Sequence, residues 1–458
     1  MKYRNTIVAL IILVLLGSYI YFFETKPVKN TESGKPTEPF IAQSDSEHIT
    51  RIEITKPLSD KPIVLERNKE KVWELQSPIH AKTDKLAVDN LIKEFKDLVP
   101  TRIIDGQGLD LASYGLDTPK ITIILAFDTK KNTGEKILVG TKTPNAEDYY
   151  VKKTNEPKLY LIPVNSIILW SKEASVFRDK TVFTFDSDKI VQLDLHYPKK
   201  KFGCNKEQGI WWVTKPEKLK ANQNKLDDLL WKLQSLAVNR FVDEQPLDLA
   251  KYGLTNPQMQ IRLKSAEGKV SALNIGKSDI SNGALYAKTA DNSYIFSLDT
   301  AVINELNISS IAELRDRSVL TFDSDSITRI ELKYPDKTMV VAKEQGQWWM
   351  TQPKRIKADA SKLDDLLWRL SGLSIIEFGE TQPKSLNKYG LDKPSLIISL
   401  QSNNQKLPEL SLGNDDIKKH LIYAQTSDKN FIFQIDDSIL HDLKATVIEL
   451  SEIHKTKP

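Results

Sequence analysis

Residues 111–125 read LASYGLDTPKITIIL, and the pattern returns as LAKYGLTNPQMQIRL at 249–263 and LNKYGLDKPSLIISL at 386–400. The three starts are 138 and 137 residues apart. Other landmarks keep the same frame. Trp73, Trp211 and Trp348 each stand 42 residues before the glycine of Tyr-Gly-Leu (Gly115, Gly253, Gly390). Gly140, Gly276 and Gly413 end the matching segments LVG, NIG and SLG, and Tyr150, Tyr286 and Tyr423 follow in a further matched segment. The later two copies also share KLDDLLW at 225–231 and 362–368, and TFDSD at 184–188 and 321–325. A period near 137 is far longer than that of a solenoid, and each copy is large enough to own a core. The spacing predicts tandem domains at 44–180, 181–317 and 318–458.

Within a copy, alternation of apolar and polar residues predicts an opening strand (Ile49, Arg51 and Glu53 against Thr50, Ile52 and Ile54), a short strand and a Trp-bearing strand. Leu226, Leu229, Leu230 and Leu233 recur at helical spacing and form one apolar stripe. After the Tyr-Gly-Leu turn come strands such as ITIILAF, KILVG, YYVKK and LYLIP, and a short helix (VNSIILWS) closes the unit. Strands outnumber helices and short turns join them, so the fold class expected is α+β with largely antiparallel sheets.

Ahead of the repeats, residues 6–23 (TIVALIILVLLGSYIYFF) hold no charge. Eighteen residues at about 1.5 Å each reach about 27 Å, close to the hydrocarbon thickness of a bilayer. Lys2 and Arg4 precede the run, which places residues 1–5 in the cytoplasm by the positive-inside bias. Bulky Tyr and Phe follow the apolar core and no A-x-A site appears, which favours an uncleaved transmembrane anchor over a signal peptide. Residues 24–43, with three prolines, have the composition of a flexible linker. The expected location is the cytoplasmic (inner) membrane, single-pass, with the body on the periplasmic or extracytoplasmic side.

The series of Trp strand, amphipathic helix, Tyr-Gly-Leu-x-x-Pro turn, Gly-ended strand and Tyr-bearing strand resembles the bacterial domain-of-unknown-function family 4340. The likeness covers the chain after residue 44 in three copies. The resemblance implies membrane anchoring and, for some members, a setting beside gliding-type ABC transporter components. It brings no catalytic residues with it.

Composition narrows the chemistry. The 458 residues are 40% apolar and 28% charged, which excludes a wholly disordered chain. One cysteine, Cys204, excludes an internal disulfide framework, and its Lys-rich setting KKKFGCNKE reads as a passive surface thiol in a turn. A formal charge of +4 gives no reason to invoke nucleic acid. The six histidines form no ligand pair, and no Walker loop, nucleophile elbow or dinucleotide fingerprint is present, so neither metal nor cofactor is expected. Asp45-Ser46-Glu47, Asp186-Ser187-Asp188 and Asp323-Ser324-Asp325 read as turns in which Asp and Ser side chains bond nearby backbone, in preference to calcium loops. The tyrosine of Tyr-Gly-Leu is expected to cover the domain edge, its hydroxyl on a backbone partner.

Two sets of residues are candidates for contact. Trp211 and Trp212 are adjacent on a strand and face opposite sides, as do Trp348 and Trp349, while Trp231 and Trp368 lie off the leucine stripe of their helices. Copy one has Glu74 and Lys93 where the others have Trp212 and Trp231. That double exchange predicts a Trp212–Trp231 contact, a Trp349–Trp368 contact and a Glu74–Lys93 ion pair. Exposed instead, the four tryptophans would be platforms for a glycan or a partner. Arg178-Asp179 and Arg315-Asp316 stand where one copy hands over to the next and are expected to fix the inter-domain junction. The functional expectation is a non-enzymatic, membrane-anchored scaffold or accessory subunit with a protein partner in the cell envelope, ABC transporter subunits being the class that the resemblance implies. The alternative is a cell-envelope glycan-binding protein.

Overall fold

The computed structural model describes residues 39–42, 48–105, 108–128, 134–279, 283–403, 405–440 and 443. The expected anchor at 6–23, most of the linker, Asp45-Ser46-Glu47 and the extreme C-terminus lie outside the described residues. No helix among the described residues is long and apolar enough to cross a membrane.

Each copy builds one antiparallel sheet. In the first, β1 (Ile49–Thr55), β2 (Ile63–Arg67), β3 (Trp73–Ser77) and β4 (Ala81–Lys82) precede helix α1 (Lys85–Asp97). After it come β5 (Arg102–Asp105), β6 (Ile121–Phe127), β7 (Gly134–Lys142), β8 (Asp148–Lys153) and β9 (Lys158–Pro163). The spatial order is β4-β3-β2-β1-β6-β7-β8-β9-β5, and the second and third sheets repeat it, the third adding a tenth, two-residue strand (Gln405–Lys406) beside Leu396–Ser402. Because α1 leaves from β4 at one edge and delivers β5 to the other, it has to cross a face of the sheet. It does so on its apolar stripe, burying Val88, Leu91 and Phe95. The equivalents α2 (Gln223–Gln234) and, after the short α3 (Ala301–Leu306), α4 (Ala360–Ser371) bury four leucines each. Asp84, Asn222 and Asp359 cap these three crossing helices, each accepting a first-turn N–H that the helix leaves unpaired.

The strands show the expected alternation, as in β6, where Ile121, Ile123, Leu125 and Phe127 face the core. The opening strand departs from strict alternation. A β-bulge between Ile49 and Arg51 lets Ile49 share the buried face with Ile52 and Ile54, and the same irregularity sits at Ile190/Gln192 and Ile327/Arg329. Two short strands, β4 and β5, lie where the sequence reading has only connections. The closing helix is a set of 3-10 turns in copy one (164–166, 169–171, 174–176) and a six-residue α-helix in copy two.

The linker needs one correction. Phe40 and Ile41 are buried in the first core, and the Phe40 N–H donates to the Leu98 carbonyl at 2.7 Å. Val182 and Val319 donate in the same way to Leu236 and Leu373. An apolar pair before the opening strand is therefore part of every repeat, and copy one includes it. Proline-rich composition masked two residues with ample buriable surface. By compactness the chain forms one unit up to Thr181 that also takes in 237–241, and a second holding 182–236 and 242 onward.

Candidate functional site

The most repeated residues prove to be one packing device. Gly115, Gly253 and Gly390 take φ of 65, 69 and 69°, the left-handed conformation that ends a 3-10 turn without a Cβ penalty. A Cβ on Gly140, Gly276 or Gly413 would lie 2.1 Å from the carbonyl oxygen of Tyr114, Tyr252 or Tyr389, so the turn presses directly on a bare strand backbone. The turn tyrosine also meets the strand tyrosine edge-on in all three copies: Tyr114–Tyr150 at 4.8 Å, and Tyr252–Tyr286 and Tyr389–Tyr423 at 5.1 Å. In copies two and three its hydroxyl finds a carboxylate in place of the expected backbone group. Tyr252 donates to Asp243 and Tyr389 to Glu380, both at 2.7 Å. These acceptors sit on or beside the β5-equivalent strands, elements with no sequence-level signal of their own.

The tryptophans separate into two kinds. Trp211 and Trp348 are in the core; Trp212 and Trp349 are half-buried on the opposite sheet face. Lys218 Nζ lies 5.3 Å from the Trp212 ring and is paired to Glu207, while the Arg355 guanidinium lies 5.0 Å from Trp349 and is paired to Glu344. Trp231 and Trp368, by contrast, are 65% and 74% exposed. No ring contact joins Trp212 to Trp231 or Trp349 to Trp368 among the described residues, which overturns the pairing expected from the sequence. The reason is geometric. The helix covers the sheet face that holds Trp211, so its outward residues point away from the sheet and Trp212 lies behind it. Glu74 likewise takes hydrogen bonds from Asn68 and Gln76, and Lys93 is exposed.

At the handover between copies two and three, Asp316 and Arg315 divide the work. Asp316 closes its own copy: its N–H donates to the Lys220 carbonyl, and its carboxylate meets Lys220 Nζ at 2.9 Å and accepts from Ser318. Against the burial that pushes it up, hydrogen bonds from Lys220 and Ser318 hold this carboxyl below its ordinary range. Arg315 reaches into the next copy, its guanidinium 4.4 Å from the Phe378 ring and 3.8 Å from Phe431. Arg317 adds bonds to the Ile375 and Ile376 carbonyls at 2.7 and 2.9 Å. In the first compact unit, buried Arg178 stacks 3.6 Å from Phe241, and the Asp179 N–H donates to Lys82.

Three ionisable groups are strongly perturbed, and one of them, the Tyr197 phenol, is pushed up to about 12 by burial. Burial pushes the Cys204 thiol up to about 12, with Asp194 adding to it. This thiol is in the core and not at the surface as expected, because KKFGCNKE is a strand (Lys200–Glu207) whose alternation turns Phe202 and Cys204 inward. Burial also raises the Glu94 carboxyl to about 7, although both its oxygens accept the Leu169 N–H at 3.1 Å. Asp186 and Asp323 accept the N–H two residues on, at 3.1 Å each, which is the turn role read from the sequence. No group of three His, Cys, Asp or Glu side chains suited to a metal occurs among the described residues. A shallow cavity of about 210 Å³ in copy two is lined by Phe185, Ile190 and Leu263, with Lys189 and Glu267 paired to each other at 2.9 Å.

The family described as a domain of unknown function, DUF4340, matches residues 73–209, 211–385 and 348–454. The chain belongs to the DUF4340 family. Each DUF4340 match opens on the strand tryptophan, Trp73, Trp211 or Trp348, and so starts within the sheet, beyond its first two strands. No curated protein and no solved structure matches this DUF4340 chain.

Proposed function

We propose that this DUF4340 protein is a non-enzymatic scaffold of the cell envelope. The apolar run at 6–23 anchors it in the inner membrane, and its repeats offer their outer helix faces to a protein partner. The observation that carries the proposal is the exposure of Trp231 and Trp368 at equivalent positions of two consecutive copies. A large apolar ring left in solvent twice, in the same place, is a contact surface in waiting. The transport connection, to subunits of a gliding-type ABC system, rests on family resemblance.

The test is a photo-crosslinking residue placed at 231 or 368 of the full chain in native membranes, with position 93 as control. Recovery of transporter subunits from 231 and 368 and not from 93 supports the proposal. Should cell-wall fragments quench tryptophan fluorescence while no protein is crosslinked, the chain is a glycan-binding protein and the scaffold assignment fails.

A further inference from the structure

The eight tryptophans show an asymmetry that bears on the partner. All five strand tryptophans carry a cation from this same chain over the ring. Arg67 lies 5.0 Å from Trp73, Lys206 5.7 Å from Trp211, and Lys343 5.8 Å from Trp348. Lys218 and Arg355 cover Trp212 and Trp349 as described above. Trp170 is buried and stacks on Phe95 at 4.8 Å. Trp231 and Trp368 alone are exposed, and no cation of this chain covers either among the described residues.

Each of these two indoles has an acidic neighbour one helical turn before it. Asp227 and Asp364 precede Trp231 and Trp368 by four residues, which puts carboxylate and ring on one face. Both aspartates are exposed, and neither has a hydrogen bond or ion pair among the described residues. The next acidic residue differs, since Asp228 is paired to Lys232 at 3.1 Å. Lys225, two residues from Asp227, is about 200° around the helix and points elsewhere. On the other helix Lys362 and Arg369 are already engaged. What remains on each outer face is a bare ring beside an uncompensated negative charge.

We propose that Asp227 with Trp231, and Asp364 with Trp368, are two equivalent receptor sites for Lys or Arg side chains on a basic segment of a partner protein. The ring takes the cation by its quadrupole and the aspartate by its charge, as Glu207 and Glu344 do for the cations already seated on Trp212 and Trp349. The two sites belong to one compact unit, so one segment that engages both gains by effective concentration. Copy one keeps the aspartate, Asp89, but has Lys93 in place of the ring, and it repels the same ligand. The inference rests on the scaffold proposal and names the chemistry of its partner.

The test uses the full chain in detergent micelles and a dye-labelled synthetic peptide of alternating Arg and Ser, followed by fluorescence anisotropy at low salt. A peptide of alternating Glu and Ser serves as control. Trp231→Ala or Trp368→Ala is expected to weaken binding roughly threefold each, and the double variant about tenfold or more. Asp227→Asn with Asp364→Asn weakens it several-fold and flattens its salt dependence. Equal binding of the acidic peptide, or unchanged binding by the folded double tryptophan variant, overturns the inference. If crosslinks at 231 and 368 still recover transporter subunits in that case, the scaffold proposal survives alone. Quenching by cell-wall fragments that the basic peptide fails to compete away sinks both.

Discussion

The first repeat keeps charge inside and the later two keep it out. At the end of β8, Lys153 is buried, its ammonium 3.2 Å from Glu135 and 3.2 Å from Glu156 and 4.9 Å from the Phe40 ring. Burial pushes the Glu135 carboxyl up despite the lysine beside it. The equivalent residues, Thr289 and Thr426, are buried hydroxyls with no hydrogen-bond partner among the described residues. On the helix the exchange runs the other way. Lys93 and Glu94 stand where the later copies have Trp231-Lys232 and Trp368-Arg369, so an indole is exposed on this helix only in the later two copies. One backbone plan thus tolerates a buried ion cluster or a neutral interior, provided that the turn, glycine and tyrosine landmarks stay in place. The difference teaches that these landmarks specify the fold, while the position after Tyr150, Tyr286 and Tyr423 by three and the outer helix face are free to diverge.

Breaking the buried cluster gives the largest expected effect. Lys153→Ala strands Glu135 in the core and is expected to cost about 3 kcal/mol, as for other buried pairs that lose one partner. Lys153→Met with Glu135→Gln, which removes both charges, recovers most of that loss. Thr426→Val, at the same place in copy three, is expected to be neutral or to gain about 1 kcal/mol by deleting an unpaired hydroxyl. Hydrogen-exchange protection in β8 and its equivalent at Leu421–Thr426, measured on the full chain, separates the outcomes. If Lys153→Ala leaves β8 protected, the contrast between the copies is decorative.

A pH series sharpens the same contrast. Glu94 sits at about 7 when folded, mainly through burial, against an ordinary carboxyl value near 4.5. The folded chain therefore binds this proton more tightly than the unfolded chain does. Stability from this group is greatest below about pH 4.5, falls as pH rises to about 7 and is level above, by at most about 3.4 kcal/mol, which solvent screening of a half-buried group cuts to roughly 2. Glu94→Gln removes the slope. Denaturation followed by exchange in α1 should show the fall, and α2 and α4, with Lys232 and Arg369 at that place, should not. A flat profile for α1 between pH 5 and 7 would mean that Glu94 is solvated.

The junction residues predict a smaller effect with a split readout. Arg315→Ala removes a guanidinium from two phenylalanine rings of copy three and is expected to cost about 1–2 kcal/mol in the coupling of copies two and three. Asp316→Ala loses the Lys220 pair and the Ser318 bonds, and its cost of about 1–2 kcal/mol falls on copy two. Solution scattering should change for the arginine variant and stay constant for the aspartate variant. The opposite pattern would contradict the division of labour.

Much of the plan was legible because it is written in strong signals. Repetition at 137 residues, period-two strands and a leucine stripe locate three antiparallel units and the helix of each. The Tyr-Gly-Leu turn and the distant Gly-ended strand were both visible, but their contact was not, since sequence spacing carries no distance. The β5 strand stayed hidden because four residues at a sheet edge make too short a run to show a period. Phe40 and Ile41 were masked by the prolines before them, and Cys204 by the lysines around it. In each case a two-residue buried face sits inside a polar window, and averaged composition cannot resolve it. The tryptophan pairing failed for another reason. Exchange of two residues between copies does not require contact, and these two positions lie on opposite sides of one layer.

The smallest effect bears most directly on function. Trp231→Ser with Trp368→Ser is expected to change stability by no more than about 0.5 kcal/mol for each site, as for surface positions without a packing role. Trp211→Ala, one layer inward, should cost about 3–5 kcal/mol. Lys93→Trp in copy one should likewise be near neutral, since that position is exposed. A large ring that folding does not need, kept outward at matched places while every strand tryptophan carries its own cation, has no structural reason to be there. The argument depends on the low cost. If the double serine variant lost more than about 1.5 kcal/mol by chemical denaturation, the indoles would be packing groups, and their exposure would no longer point to a partner.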